Sequence, residues 1–129
     1  MQASMKKNTP APQATPTYWK ARLLLPVPGQ KTLKSFWAYT QNLSETEIRF
    51  QSEKNLKKGM EIRLDVQAIH KGVKHSLRLQ GKVLSSVLLS CGTLYGIDLK
   101  MTGISKADQA FINQYLKDRK SMKLTYSSF

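Results

Sequence analysis

A chain of 129 residues with 40% apolar content fits one domain around one core. No apolar stretch approaches the roughly 18 residues of a membrane-crossing helix, and no apolar run follows the lysines near the N-terminus, which excludes membrane insertion and a secretory leader as expectations. A net charge of +13, from 21 Lys and Arg against eight acids, favours an anionic partner: nucleic acid, nucleotide, anionic lipid or an acidic protein face.

Residues 1–17 are polar and rich in Pro, Ala, Gln and Thr, and read as a disordered tail before an ordered domain over residues 18–120. Arg22-Leu23-Leu24-Leu25, stopped by Pro26-Val27-Pro28-Gly29, reads as a first strand and turn. Ser35 to Gln41 forms a second strand, whose alternation buries either Phe36 and Ala38 or Trp37 and Tyr39. Ile48 to Ser52 forms a third. The polar loop from Asn55 ends at Gly59, and then Met60, Ile62, Leu64, Val66 and Ala68 alternate with polar residues, a half-buried strand.

His70-Lys71-Gly72 turns the chain. A long segment from Val73 to Leu89 keeps the two-residue rhythm, with a bend or bulge expected at Gly81. Leu94 to Leu99 forms a sixth strand. The period then changes: Ser105 and Asp108 make a capping-box pattern, and Ile104, Phe111, Ile112, Tyr115 and Leu116 share one helical face. The helix is predicted over Lys106 to Lys120, with its terminal cations at the negative dipole end and a loose tail over residues 121–129. Six strands joined by turns and one helix predict an all-β fold with a terminal helix, a closed six-stranded antiparallel barrel with the helix packed on it or over its open end.

Chemistry for catalysis is sparse. The lone cysteine, Cys91, forms no internal disulfide, suits a reducing cytoplasm and reads as a small buried hydrophobe. His70 and His75 flank a hairpin turn without acidic or cysteine neighbours in the sequence, and read as a solvent-exposed pair rather than metal ligands. No phosphate-binding glycine loop or nucleophile elbow is present. The chain is therefore not expected to be an enzyme, and no cofactor is expected.

From about Tyr18 to Leu116 the sequence resembles a PilZ domain. The resemblance rests on the basic residue at Arg22, the segment Asn42-Leu43-Ser44-Glu45-Thr46-Glu47, the loop Leu56-Lys57-Lys58-Gly59-Met60, the strands at Gly81-Lys82-Val83 and Leu94-Tyr95-Gly96-Ile97-Asp98-Leu99, and the helix from Asp108 to Leu116. It implies a six-stranded antiparallel barrel with a C-terminal helix, and cyclic di-GMP as a ligand. The family motif RxxxR maps its second arginine to Arg22, with Tyr18 in place of the first and Lys20 as a nearby cation. In the family's DxSxxG, Asn42 stands for the acid, Ser44 is kept and Glu47 stands for glycine. The resemblance therefore implies ligand contacts at Arg22, Asn42, Ser44, Lys20 and Glu47. An aspartate accepts two hydrogen bonds from guanine N1 and N2, whereas Asn42 offers one oxygen; lysine lacks arginine's bidentate fork; Glu47 adds negative charge near phosphates. These departures weaken the expected site. The resemblance implies a signalling receptor or adaptor in the cytoplasm that regulates motility, adhesion, pili or polysaccharide export. The alternatives are a ligand-independent module for an acidic protein partner and a general nucleic-acid-binding barrel.

Overall fold

The computed structural model describes residues 14–127, and side chains as far as Lys120. Seven strands precede one helix: β1 (Thr15–Pro16), β2 (Lys20–Pro26), β3 (Leu33–Leu43), β4 (Glu47–Ser52), β5 (Glu61–His70), β6 (Val73–Leu88), β7 (Tyr95–Gly103) and α1 (Lys106–Ser127). Each strand pairs antiparallel with its neighbours in the order β1-β3-β2-β5-β6-β7-β4, and β3 also pairs with β4. That last pairing closes β2, β3, β4, β7, β6 and β5 into a six-stranded ring, leaving no free sheet edge among them.

Alternation along each strand puts one parity inside. Ile62, Leu64, Val66 and Ala68 of β5 are buried, as are Leu77, Leu79 and Val83 of β6. They meet Leu23, Ala38, Phe50, Ile97 and Leu99 in one core. On β3 the choice left open by the sequence falls to Ala38 and half-buried Phe36, while Trp37 and Tyr39 face outward, 60% and 50% exposed. The hairpin between β5 and β6 turns at Lys71 and Gly72, both at positive φ, the two-residue turn whose twist matches antiparallel strands. The bend expected at Gly81 is a register shift between Gln80 and Gly81 against β7. A Cβ there would sit 2.5 Å from the Lys100 carbonyl oxygen, so only glycine allows this approach.

Helix α1 covers one end of the ring. Ile112 and Tyr115 are buried, with Phe111 and Leu116 half-buried against the core. The residues they meet, Trp19 just before β2, His70 at the end of β5 and His75 near the start of β6, continue the inward parity of those strands at the rim. Trp19 lies 4.8 Å from Tyr115, and Phe111 stacks on His75 at 4.4 Å. Ser105 Oγ accepts the Asp108 N–H at 3.1 Å and caps the helix.

Several boundaries differ from the sequence reading. Thr15–Pro16 pairs with Leu43 and Asn42, and Thr17 is buried with its hydroxyl donating to Thr40 Oγ1 at 2.8 Å. Order thus reaches back of Tyr18 because backbone pairing with β3, continued by the Thr17 N–H to the Gln41 carbonyl at 2.9 Å, and the Thr17 hydroxyl hold this segment; the remainder of the expected tail, residues 1–13, lies outside the described residues. The helix continues past Lys120 to Ser127, so Lys117, Arg119 and Lys120 stand in its middle. Cys91 is exposed rather than buried, because β6 ends at Leu88 and the cysteine falls in the turn that leads to β7.

The two histidines are also not a solvent-exposed pair. His70 Nε2 lies 2.7 Å from Asp118 and His75 Nε2 lies 3.3 Å from Asp108, partners that only the folded helix brings near. His70, then Gln114, and more weakly Lys71, hold the Asp118 carboxyl at about 2, below its usual 3.8. A lowered folded pKa means that the stabilisation is complete above the unfolded value and is lost as pH falls through the folded one. Between pH 4 and 2, Asp118→Asn is therefore expected to flatten the fall in melting temperature relative to the natural chain; identical slopes in that window would show that the His70–Asp118 clasp carries no proton linkage.

Candidate functional site

The expected ligand residues fall at two places, one at the β3–β4 turn and one on β2. Asn42, Ser44 and Glu47 build the hairpin from β3 to β4. Ser44 is 5% exposed, and its Oγ accepts the N–H groups of Glu47 at 3.0 Å and Thr46 at 3.3 Å while donating to the Glu47 carbonyl at 3.3 Å. Its hydroxyl closes the turn and faces away from solvent. Glu47 is exposed in extended backbone at the start of β4, so nothing in the local backbone calls for the glycine of the family motif. Half-buried Asn42 lies opposite Pro16 on one side and Arg49 on the other. Arg49 is already engaged: Asp98 accepts both of its nitrogens, at 2.7 and 2.8 Å. That pair, helped by the Ser85 hydroxyl, holds the Asp98 carboxyl below its ordinary value.

Lys20 and Arg22 lie elsewhere on the outer wall. Arg22 is the third residue of β2, within the strand, and faces Trp37 on β3 and Asp65 on β5. Its guanidinium lies 4.9 Å from the Trp37 ring centroid and donates to Ser35 Oγ at 3.3 Å. Lys20 faces Tyr39. Both cations line a cleft of about 850 Å³ between the outer wall of β2, β5 and β6 and the segment leading into α1, together with Trp37, Asp65, Arg78 and Asp108. Asn42 stands five residues beyond Trp37 on β3, a span of roughly 15 Å at strand spacing. Lys20 and Arg22 are brought together, and Asn42, Ser44 and Glu47 are brought together, at opposite ends of one outer strip.

Sequence reasoning did not single out Arg78. Its place between inward Leu77 and Leu79 marks it as outward, but only the β5–β6 register sets it beside Asp65. Likewise, the pairing of Asp108 with β6 depends on where the helix docks: its carboxylate accepts the Arg78 N–H at 3.0 Å. Among the described residues no group of three or more His, Cys, Asp or Glu could hold a metal ion, and no helix is long and apolar enough to cross a membrane.

The ring of six antiparallel strands with a helix over one end is a PilZ-like fold. Among solved structures, the Bacillus subtilis inhibitor of motility, MotI/DgrA, superposes with a TM-score of 0.71 over 90% of this chain, at 15% sequence identity. The chain spans 53% of that protein's length. No family model matches the sequence, and no curated protein matches it.

Ser44→Ala leaves two turn N–H groups without their side-chain acceptor and is expected to cost about 1–2 kcal/mol of stability, measured by urea unfolding. An unchanged midpoint would mean that the backbone bond from Ser44 N to Glu47 O, 2.9 Å, holds the turn by itself.

Proposed function

We propose that this chain is a non-enzymatic PilZ-like signalling module of cyclic di-GMP pathways. It acts in the cytoplasm as a receptor or adaptor, docking on a protein partner with an acidic face to regulate motility, adhesion, pili or polysaccharide export. The likeness of fold to a motility inhibitor supports the class. The observation that carries the ligand reading is the outer face of the β2–β3 pair, where Lys20 and Arg22 stand beside exposed Tyr39 and Trp37. Cations there meet phosphates, and aromatic faces meet bases. The net charge of +13 adds long-range attraction for nucleotide and for an acidic partner alike.

The same face supports a second reading. Exposed aromatics interleaved with cations are what a single-strand nucleic-acid binder requires, and β3 with β2 presents that arrangement. Phosphate-contact binding of this kind falls steeply with salt.

Calorimetry of the full chain with cyclic di-GMP tests the receptor reading. Binding is expected, and Arg22→Ala is expected to weaken it about tenfold or more, the size of one charge-assisted hydrogen bond. No heat with the dinucleotide, alongside salt-sensitive binding of a single-stranded oligonucleotide, would put the nucleic-acid reading in its place. No heat with either would leave the ligand-independent interaction module.

A further inference from the structure

The outer wall carries more cations than one ligand needs, and their partners sort them. Arg49 is held by Asp98, and Arg63 donates two bonds to Asp65 at 3.1 Å. Among the described residues Lys20, Arg22 and Arg78 are in no ion pair with a carboxylate, and all three line the cleft beside α1.

Two carboxylates share that cleft, but each is already satisfied. Asp65 is occupied by Arg63, and Asp108 by His75 and the backbone N–H of Arg78. The cleft is therefore left with positive charge that has no partner inside it. Strand pairing fixes the spacing. Trp37, Arg22, Asp65 and Arg78 face one another in a row across β3, β2, β5 and β6. At strand separations of about 4.8 Å, Arg22 and Arg78 stand roughly 10 Å apart on either side of Asp65. Trp37 holds the Arg22 guanidinium against its ring and keeps more than half of its own surface open.

We infer that this cleft is the nucleotide site. A phosphate-bearing nucleotide binds with its phosphates between Arg22 and Arg78 and its base against Trp37, and the Asn42–Ser44 turn lies outside the contact. Guanidinium forks bind phosphate oxygens, or the O6 and N7 edge of guanine, in bidentate fashion. The turn end offers no free guanidinium, because Arg49 is engaged, the Ser44 hydroxyl is spent, and Lys100, opposite Glu47, brings charge without a bidentate fork. The inference rests on the nucleotide-receptor reading and gives it a location and a new ligand residue, Arg78.

The test is calorimetry on the full chain with cyclic di-GMP and, separately, with GTP, using Arg78→Gln, Arg78→Lys and Asn42→Ala. Arg78 is an exposed side chain whose contact with Asp108 is made by its backbone N–H, so its variants are expected to fold, with melting temperature as the check; Arg78→Lys keeps the charge and loses the fork. The cleft predicts that Arg78→Gln weakens the nucleotide that binds by tenfold or more, that Arg78→Lys falls between, and that Asn42→Ala changes binding less than threefold. Binding of GTP alone, with the same loss at Arg78, supports the cleft and removes the cyclic di-GMP reading. Cyclic di-GMP binding that ignores Arg78 and collapses in Asn42→Ala overturns the cleft and leaves the receptor reading standing. Absence of binding by both nucleotides overturns the cleft as well.

Discussion

Strand β3 carries the architecture. It pairs with β2 along one side and with β4 along the other, and without the second pairing the strands would form an open sheet with two exposed edges. Closure also fixes what β3 shows to water. Ala38 and Thr40 are committed to the interior, so Trp37 and Tyr39 must stand outside. The register shift between Thr40 and Asn42 then turns Leu43 inward and leaves Asn42 opposite Pro16. An exposed tryptophan beside an arginine is thus a product of the same alternation that fills the core.

The helix finishes what the ring cannot do alone. A ring of short strands leaves apolar rims open at its ends, and Phe111, Ile112 and Tyr115 cover one of them over Trp19 and the two rim histidines. Burying side chains of this size is worth about 1.5–3 kcal/mol each. Polar contacts fix the direction of the helix: Asp118 meets His70, Asp108 meets His75 and β6, and the Tyr115 hydroxyl donates to the Pro16 carbonyl at 3.4 Å. Asp108 therefore serves two ends. It ties the helix start to β6, and in doing so it forms one wall of the cleft that holds Arg22 and Arg78.

Local signals in the sequence were readable where the physics is local. The alternation from Met60 to Ala68 gave β5 its buried face, Gly81 its bulge, and Ser105 its cap. What escaped depends on distant partners. Thr15 to Thr17 has no apolar pattern, and is ordered through Thr40 to Leu43 of β3 and through Tyr115, both far along the chain. The extension of α1 beyond Lys120 mixes Met122, Leu124 and Tyr126 with polar residues and has no glycine or proline to stop it. His70 and His75 find their acids 48 and 33 residues away, a pairing no spacing rule could supply. The outer wall follows the same logic: Arg22 and Lys20 were visible as cations, but the register that sets Arg78 across from Asp65 exists only in the folded ring. Ser44 keeps the family's residue type while its hydroxyl is consumed by the turn.

Assigned two-dimensional NMR spectra of the full chain, recorded during titration with cyclic di-GMP, locate the ligand face directly. Binding on the outer wall requires the largest shifts at the amides of Lys20, Arg22 and Arg78 and at the Trp37 indole N–H, with the buried Trp19 indole little changed. Shifts centred on Ser44 to Glu47, or spectra unchanged at saturating ligand, would contradict it.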